Sequence, residues 1–391
     1  MHVGYTHEHV QLRRELRAYF ADLMTPELRA GLGDGQGEYG SGEAYRAVVR
    51  RLGRDGWLAL GWPKEHGGGG RSRMDQLVFA DEAAMAGVPV PFLTIYTVGP
   101  AIMRHGTPEQ RAALLPRIAA GEAHFSIGYS EPDAGTDLAA LRTRAVRTGD
   151  EYVITGQKMW TSLIQYADYV WLACRTGDAP RHKGLSILIV PTDAPGFSWT
   201  PVRTLAGPTT SATYYADVRV PTSALVGVEN EGWRLITDQL NHERVALTSA
   251  APLRRTLRDV ADWAAQTRLP DGRRVIDQEW VRLHLARVHA KTEVLKLFNW
   301  RTAAGSDGAL AAAGASAGKV YGTELAVEAY RLLMEVFGPA ATVRTGSPGA
   351  LLQGQVERLH RSSLILTFGG GTNEVQRDII AAGPLGLPVR R

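Results

Sequence analysis

The chain has 391 residues, with 44 Lys and Arg against 40 Asp and Glu and a single cysteine. At roughly 100–200 residues per domain this length predicts two or three domains, and a 44% hydrophobic, 21% charged composition excludes a globally disordered chain. The lone Cys174 excludes an internal disulfide framework and a cysteine-cluster metal site. No apolar run is long enough to span a membrane, and no block of like charge marks a nucleic-acid stripe.

Only six of the basic residues are Lys and 38 are Arg, a bias that follows base composition first, although Arg also suits phosphate and carboxylate recognition. The N-terminal residues carry charges without an apolar core, so no leader is expected and the cytoplasm is the default location.

The first ~125 residues read as helices. Val10, Leu12, Leu16, Phe20 and Leu23 recur at helical spacing. Ser41 is placed to cap a second helix carrying Tyr45, Val48, Val49 and Leu52, with Gly53 as its stop. Met74–Ala86 and Pro108–Ala120 follow, the latter capped by Thr107 with proline in its first turn.

From Ala123 to Pro221 short β-rich runs alternate with turns. A hairpin is expected over Arg142–Arg147 and Tyr152–Ile154, then strands at Tyr169–Cys174, Leu185–Val190, Phe197–Val202 and Thr213–Val220. Regular short strands predict a small β-barrel or sandwich. After Gly232 helices return at Trp233–Leu247, Pro252–Thr267, Asp277–Ala304, Ser316–Val336 and Glu374–Ala382, long enough for an antiparallel bundle. The fold class is therefore α+β multidomain: a helical domain over 1–124, a β domain over 125–232 and a helical bundle over 233–391.

Two motifs fail their context tests. Gly35–Gly40 fits GxGxxG but has no strand before it and no amphipathic helix after it. His7 and His9 flank a glutamate without the HExxH spacing, and His284 and His289 fall on different helix faces, so no metal site is expected.

Two other stretches carry chemistry. Gly128-Tyr-Ser-Glu-Pro-Asp-Ala-Gly-Thr-Asp137 is a loop of hydroxyls and glycines that a phosphate or ring could approach closely. Gly156-Gln-Lys-Met-Trp-Thr-Ser162 presents an indole followed by two hydroxyls at a strand end, which suits a planar heterocycle. On composition and spacing alone, a polar turn and a core tryptophan remain the plainer reading.

Together these residues resemble the acyl-CoA dehydrogenase family over essentially the whole chain. The first signature runs unbroken through Gly128–Asp137, GQKMWTS fits the flavin-strand motif, and the stretch from Trp57 to Gly68 and the helical–β–helical order agree.

The resemblance implies noncovalent FAD between the β domain and the C-terminal bundle. By position, Tyr129 and Ser130 would lie along the flavin ring, with Ser130 bonding its pyrimidine side. Trp160 would pack on the ring, Ser162 would sit near N5, and Thr136 would face the cofactor or the pantetheine arm. The segment from Phe368 through Thr372 to Glu374 matches the loop that holds pyrophosphate and adenine. Arg268 and Gln278 would reach the FAD of a neighbouring subunit, although the usual Arg-x-x-Phe-Gly reads Arg268-Leu-Pro-Asp-Gly272.

The family's reaction needs a carboxylate that removes the α-proton of a thioester while the β-carbon gives hydride to the flavin. The common location for it, just before Gly-Thr in the C-terminal loop, holds Gly370 here. The other location, on the first helix of the bundle before an Arg, reads Asn241-His-Glu-Arg244. Glu243 is therefore the expected base, as in isovaleryl- and long-chain-type members, with Asn241 and Arg244 as substrate-binding neighbours. The backbone N–H of Gly370 would help polarise the thioester oxygen.

The resemblance implies that the Gly369–Gly371 run accompanies a branched, long or bulky acyl group, and the wording of the chain resembles bacterial enzymes acting on sterol side chains or unusual acyl chains. Where those relatives often show a Phe-Asn-Glu turn, this chain has Thr209-Thr-Ser-Ala-Thr213.

The implied substrate is acyl-CoA, with acyl-ACP as the alternative carrier and a flavin oxidase or monooxygenase as the alternative chemistry. The implied partners are an electron-transferring flavoprotein and further subunits, as a homotetramer, homodimer or two-subunit heterotetramer.

Overall fold

The computed structural model describes residues 4–32, 42–205, 207, 209–246, 249–305 and 309–388, without the side chains at 241–246 and 309–312. Gly35–Gly40 and Ser41 lie outside the described residues, as does Leu247 at the end of its expected helix.

Helix α1 (His7–Leu23) opens with a capping box between Thr6 and His9 and buries Leu12, Leu16, Phe20 and Leu23, the stripe read from spacing. A short α2 (Pro26–Gly31), capped by Thr25, follows and was not anticipated. Helix α3 (Glu43–Arg54) buries Tyr45, Val48, Val49 and Leu52 as expected. Gly53 does not stop it, because the helix runs on to Arg54. A Cβ at Gly53 would stand 2.3 Å from the Ala120 backbone, so this glycine is there for close packing. Helix α4 (Arg73–Ala86) is capped by Ser72 and ends on left-handed Gly87. A π-helical turn (Thr94–Val98) leads into α5 (Gly99–His105), and α6 (Pro108–Ala119) carries the expected Thr107 cap.

The β region comprises β1 (Phe125–Gly128), β2 (Arg144–Thr148), β3 (Glu151–Lys158), β4 (Tyr169–Arg175), β5 (Leu185–Pro191), β6 (Phe197–Arg203), β7 (Thr209–Pro221) and β8 (Leu225–Val226). The expected barrel or sandwich takes the form of one eight-stranded sheet, ordered β6-β7-β3-β2-β4-β5-β8 with β1 alongside β4. The expected hairpin is β2–β3, closed by Gly149-Asp150 between paired Thr148 and Glu151.

Strand β4 is buried along both faces. Val170, Leu172 and Cys174 pack with Tyr152, Ile154 and Val218 of the other strands, whereas Trp171 and Ala173 join the core of helices α1 to α6. That is why Tyr169–Cys174 reads as an unbroken apolar run rather than an alternation.

The C-terminal helices are α7 (Gly232–Ala246), α8 (Ala251–Gln266), α9 (Glu279–Ala304), α10 (Ala309–Phe337), α11 (Gln355–Ser363) and α12 (Asn373–Ala382). Helices α9 and α10 run antiparallel, since His284 meets Glu335 while Arg287 and Lys291 meet Glu328. The bundle has its own core, built on Val260, Val281, Leu285, Val288, Leu333 and Val336. Helix α7 belongs to the other core. It starts against β5, where a Cβ at Gly232 would meet Ser186 Cα at 2.7 Å, and it buries Leu235 and Ile236 beside Trp171. Among the described residues, no helix is long and apolar enough to cross a membrane.

Candidate active site

The two motif stretches are fastened to each other. Met159 N–H donates to Ser130 O at 2.8 Å. Lys158, wholly buried at the end of β3, reaches Tyr129 O at 3.0 Å and Glu131 Oε1 at 2.8 Å. Glu131 accepts further N–H donors from Arg142 (2.6 Å) and Thr143 (2.8 Å), so its carboxylate closes the loop onto the start of β2. Burial alone would raise the Glu131 carboxyl, but Lys158 and the Thr143 and Arg142 bonds outweigh it and hold it below the usual range. Sequence reading quoted both residues inside their motifs without giving them this task.

Trp160 emerges from this clasp with a left-handed backbone (φ 64°), which turns its indole out of the sheet and leaves it 56% exposed. Beyond it, Thr161 is buried, its N–H donating to Ser211 O at 2.9 Å. The half-buried Ser162 hydroxyl lies 3.1 Å from Thr210 Oγ1. The 209–213 stretch, which departs from the family turn, is thus the strand that backs Thr161 and Ser162. Ser130 is half-buried and Thr136 lies exposed on the loop.

Tyr129 is placed differently from its neighbour. Its ring turns into the helical core at 8% exposure, where its hydroxyl takes the Trp171 Nε1–H bond at 3.1 Å and donates to Gln239 Oε1. It braces the loop from behind and leaves Ser130 as the motif's hydroxyl on the open side. Gln239 was not singled out from sequence. It ties the loop to α7, one turn before position 243. Asn241, Glu243 and Arg244 lie on that helix, with side chains outside the described residues.

The C-terminal loop stands at the start of α12. Phe368 is 60% exposed, and Gly370 (φ 65°) and Gly371 (φ 87°) take left-handed conformations. Thr372 caps α12 by accepting from Val375 N–H at 3.2 Å. Glu374 is exposed in the first turn, where its backbone N–H and the Thr372 hydroxyl hold its carboxyl below the usual range. Beneath the loop, buried Lys319 donates to Gly371 O at 2.7 Å. Sequence reading missed it, although a lone Lys in an Ala/Gly/Ser-rich run was a signal.

Arg268 and Gln278 lie in the α8–α9 connection. Arg268 is exposed and donates to Gly272 O at 2.7 Å, and Gln278 stands at the N-cap position of α9 without a side-chain capping bond and accepts from Trp280 Nε1 at 3.1 Å. Helix α11 joins the bundle to the β region through Arg361, which donates to Leu205 O.

These residues fit a flavin dinucleotide. A large indole held out of the core beside two hydroxyls offers one face to a planar ring. A capped helix start behind a glycine loop offers N–H donors to a phosphate.

Comparison with known proteins identifies the family. Three models match in order: the acyl-CoA dehydrogenase N-terminal domain over residues 6–122, the middle domain over 126–218 and the C-terminal domain over 230–385. Acyl-CoA dehydrogenase FadE26 of Mycobacterium tuberculosis (strain ATCC 25618 / H37Rv) is 67% identical, over 99% of both chains. Acyl-CoA dehydrogenase FadE29 of the same strain is 47% identical, also over 99% of both. The crystal structure of the ChsE4-ChsE5 complex from Mycobacterium tuberculosis superposes with a TM-score of 0.93 at 65% identity, covering 100% of each chain. The Tcur3481-Tcur3483 steroid ACAD does so with 0.91 at 49%, again over 100% of each.

Proposed function

This chain belongs to the acyl-CoA dehydrogenase family of FAD-dependent oxidoreductases, and on that footing we propose that it converts a bulky, steroid-type acyl-CoA to its trans-2-enoyl-CoA. The observation that carries the acyl class is the Gly369–Gly370–Gly371 run, where three residues in succession add no side-chain bulk. The steroid ACAD at 49% identity supports the same class.

In this reading Glu243 removes the α-proton. Helix α7 carries it one turn past Gln239, whose bond to Tyr129 keeps that helix in register with the flavin loop. Gly370 N–H donates to the thioester oxygen and stabilises the negative charge that grows there as the proton leaves. Asn241 and Arg244 hold the thioester arm, and the bulk of the acyl group excludes water from Glu243, which strengthens the hydrogen bonds around it. Ser130, Trp160 and Ser162 would orient the ring, and Thr372 with the start of α12 would receive the phosphates. FAD, when bound, supplies the acceptor for the hydride leaving the β-carbon. Holding donor, base and acceptor together couples the two bond cleavages geometrically.

We further propose that the chain assembles with a second, related chain, as the names of the two-component relatives say of those proteins, and that an electron-transferring flavoprotein reoxidises it. Anaerobic titration with steroid side-chain, branched and straight acyl-CoA thioesters and with acyl-ACP, read by flavin bleaching, tests the function. Fastest bleaching by the steroid-type CoA thioester is expected. Faster bleaching by a straight chain overturns the substrate class, and by acyl-ACP the carrier.

A further inference from the structure

Two of the chain's six lysines are buried, Lys158 at 0% and Lys319 at 1% exposure. Each grips a loop of the candidate site by its backbone carbonyls. Lys158 has a carboxylate partner in Glu131. Lys319 Nζ donates to Gly371 O (2.7 Å), Asn373 Oδ1 (2.8 Å) and Thr367 O (3.3 Å). Thr367 and Gly371 are the two ends of the segment that contains Phe368, Gly369 and Gly370. Asn373 is itself held, its Nδ2 donating to Thr323 Oγ1 at 3.1 Å, and Thr323 lies one turn along α10 from Lys319.

Three consecutive glycines have no side chains with which to hold a loop in shape, and their backbones are the most permissive of any residue. A fixed direction for Gly370 N–H therefore has to be imposed from outside the run. Lys319 is placed to impose it, with one buried nitrogen bonded to both ends of the segment.

We propose that Lys319 is a positioning residue that sets the direction of the Gly370 N–H toward the thioester oxygen. This rests on the reading of Gly370 as the thioester donor. Lys319→Met removes all three bonds. Lys319→Gln leaves an amide that can serve at most two of the acceptors and gives a second chance of a folded protein.

Both variants are purified with FAD, checked by melting and flavin absorbance, and assayed for anaerobic flavin reduction. The carbonyl stretch of a bound acyl thioester analogue that cannot be oxidised, and so leaves the flavin oxidised, is measured by infrared difference spectroscopy. Expected are a fall in kcat of about ten- to a hundredfold for Lys319→Met, a KM within about threefold of wild type, and a smaller fall for Lys319→Gln. The carbonyl stretch should return toward its frequency in water in the same order. Wild-type kcat and an unshifted carbonyl band in whichever variant folds overturn the proposal.

Glu243→Gln is the control. It leaves the loop intact, so its carbonyl band should match wild type even though flavin reduction is lost. If Glu243→Gln still reduces flavin, the base assignment fails while the infrared readout continues to test Lys319. If the wild-type band shows no shift from water, the thioester reading of Gly370 fails with it.

Discussion

Lys158 Nζ stands 2.8 Å from Glu131 Oε1, with both side chains less than a tenth exposed. The pair is satisfied on every side, since Glu131 also takes two backbone N–H bonds and Lys158 also donates to Tyr129 O. Lys158→Met would leave the carboxylate buried and unpaired, at a cost of about 3–5 kcal/mol. Chemical denaturation should show that loss together with poor FAD retention, and Glu131→Gln in the same chain should recover part of it. The Glu131 pKa is lowered, so its contribution is present above the ordinary carboxylate range and lost as pH falls through the lowered value. The gap between Lys158→Met and wild type should accordingly narrow in acid.

Asp81 presents the opposite sign. Burial raises its carboxyl from 3.8 to about 6, even though Ser249 Oγ donates to it at 2.7 Å. The folded state therefore holds a proton that the unfolded chain has released, and stability falls as pH rises from about 4 to about 6. Asp81→Asn keeps the acceptor and removes the charge. It should melt like wild type below about pH 4 and be more stable above about pH 6, by roughly 2–3 kcal/mol at about 1.4 kcal/mol per unit. Equal melting at both ends of that window would mean that Asp81 does not titrate there.

Gly53 sits inside a helix, where Ala has the better propensity by about 1 kcal/mol. Its missing Cβ would lie 2.3 Å from both C and O of Ala120, a backbone that cannot give way like a flexible side chain. The clash outweighs the propensity, so Gly53→Ala should lose about 1–3 kcal/mol in thermal denaturation. A stabilised variant would show that α3 and the end of α6 can separate at little cost.

Glu243→Gln is expected to keep FAD and its visible spectrum while flavin reduction by a good thioester substrate falls at least a thousandfold, on the order of 4 kcal/mol in the barrier. Bleaching near the wild-type rate would remove Glu243 from the role of base.

Much of the fold was legible because burial writes periodicity into sequence. The Leu12–Leu16–Phe20–Leu23 stripe and the Thr107 cap are local signals, and local signals survived folding. Helix α11 left no such trace, since its buried residues are only Val356, Glu357 and Ser363. Gly53 misled because a glycine at a helix end and a glycine at a helix crossing look alike until the second helix is in place. At the candidate site, the motif singles out Trp160 and its hydroxyl neighbours, which the structure brings to the end of β3 beside the 209–213 strand. Tyr129 belonged to the same motif, but its ring was claimed by Trp171 and Gln239, one of them 110 residues away. The lone Lys319 stood out in its Ala/Gly/Ser-rich run, but its task could not be read for a related reason, because its carbonyl acceptors belong to a segment about fifty residues further on.

Strand β4 gives this molecule an internal dependence. One face of it completes the core of the N-terminal helices, and the other completes the core between the strands. Neither layer can shed the strand without opening its own interior, so the two should melt as one cooperative unit despite matching separate domain models. The bundle from α8 onward keeps a core of its own and is free to loosen first. The loop from Phe368 to Thr372 lies on that more independent half, while Ser130 and Trp160 lie on the other. Early in denaturation, the half proposed to receive the phosphates would give way while the half proposed to hold the ring stays intact.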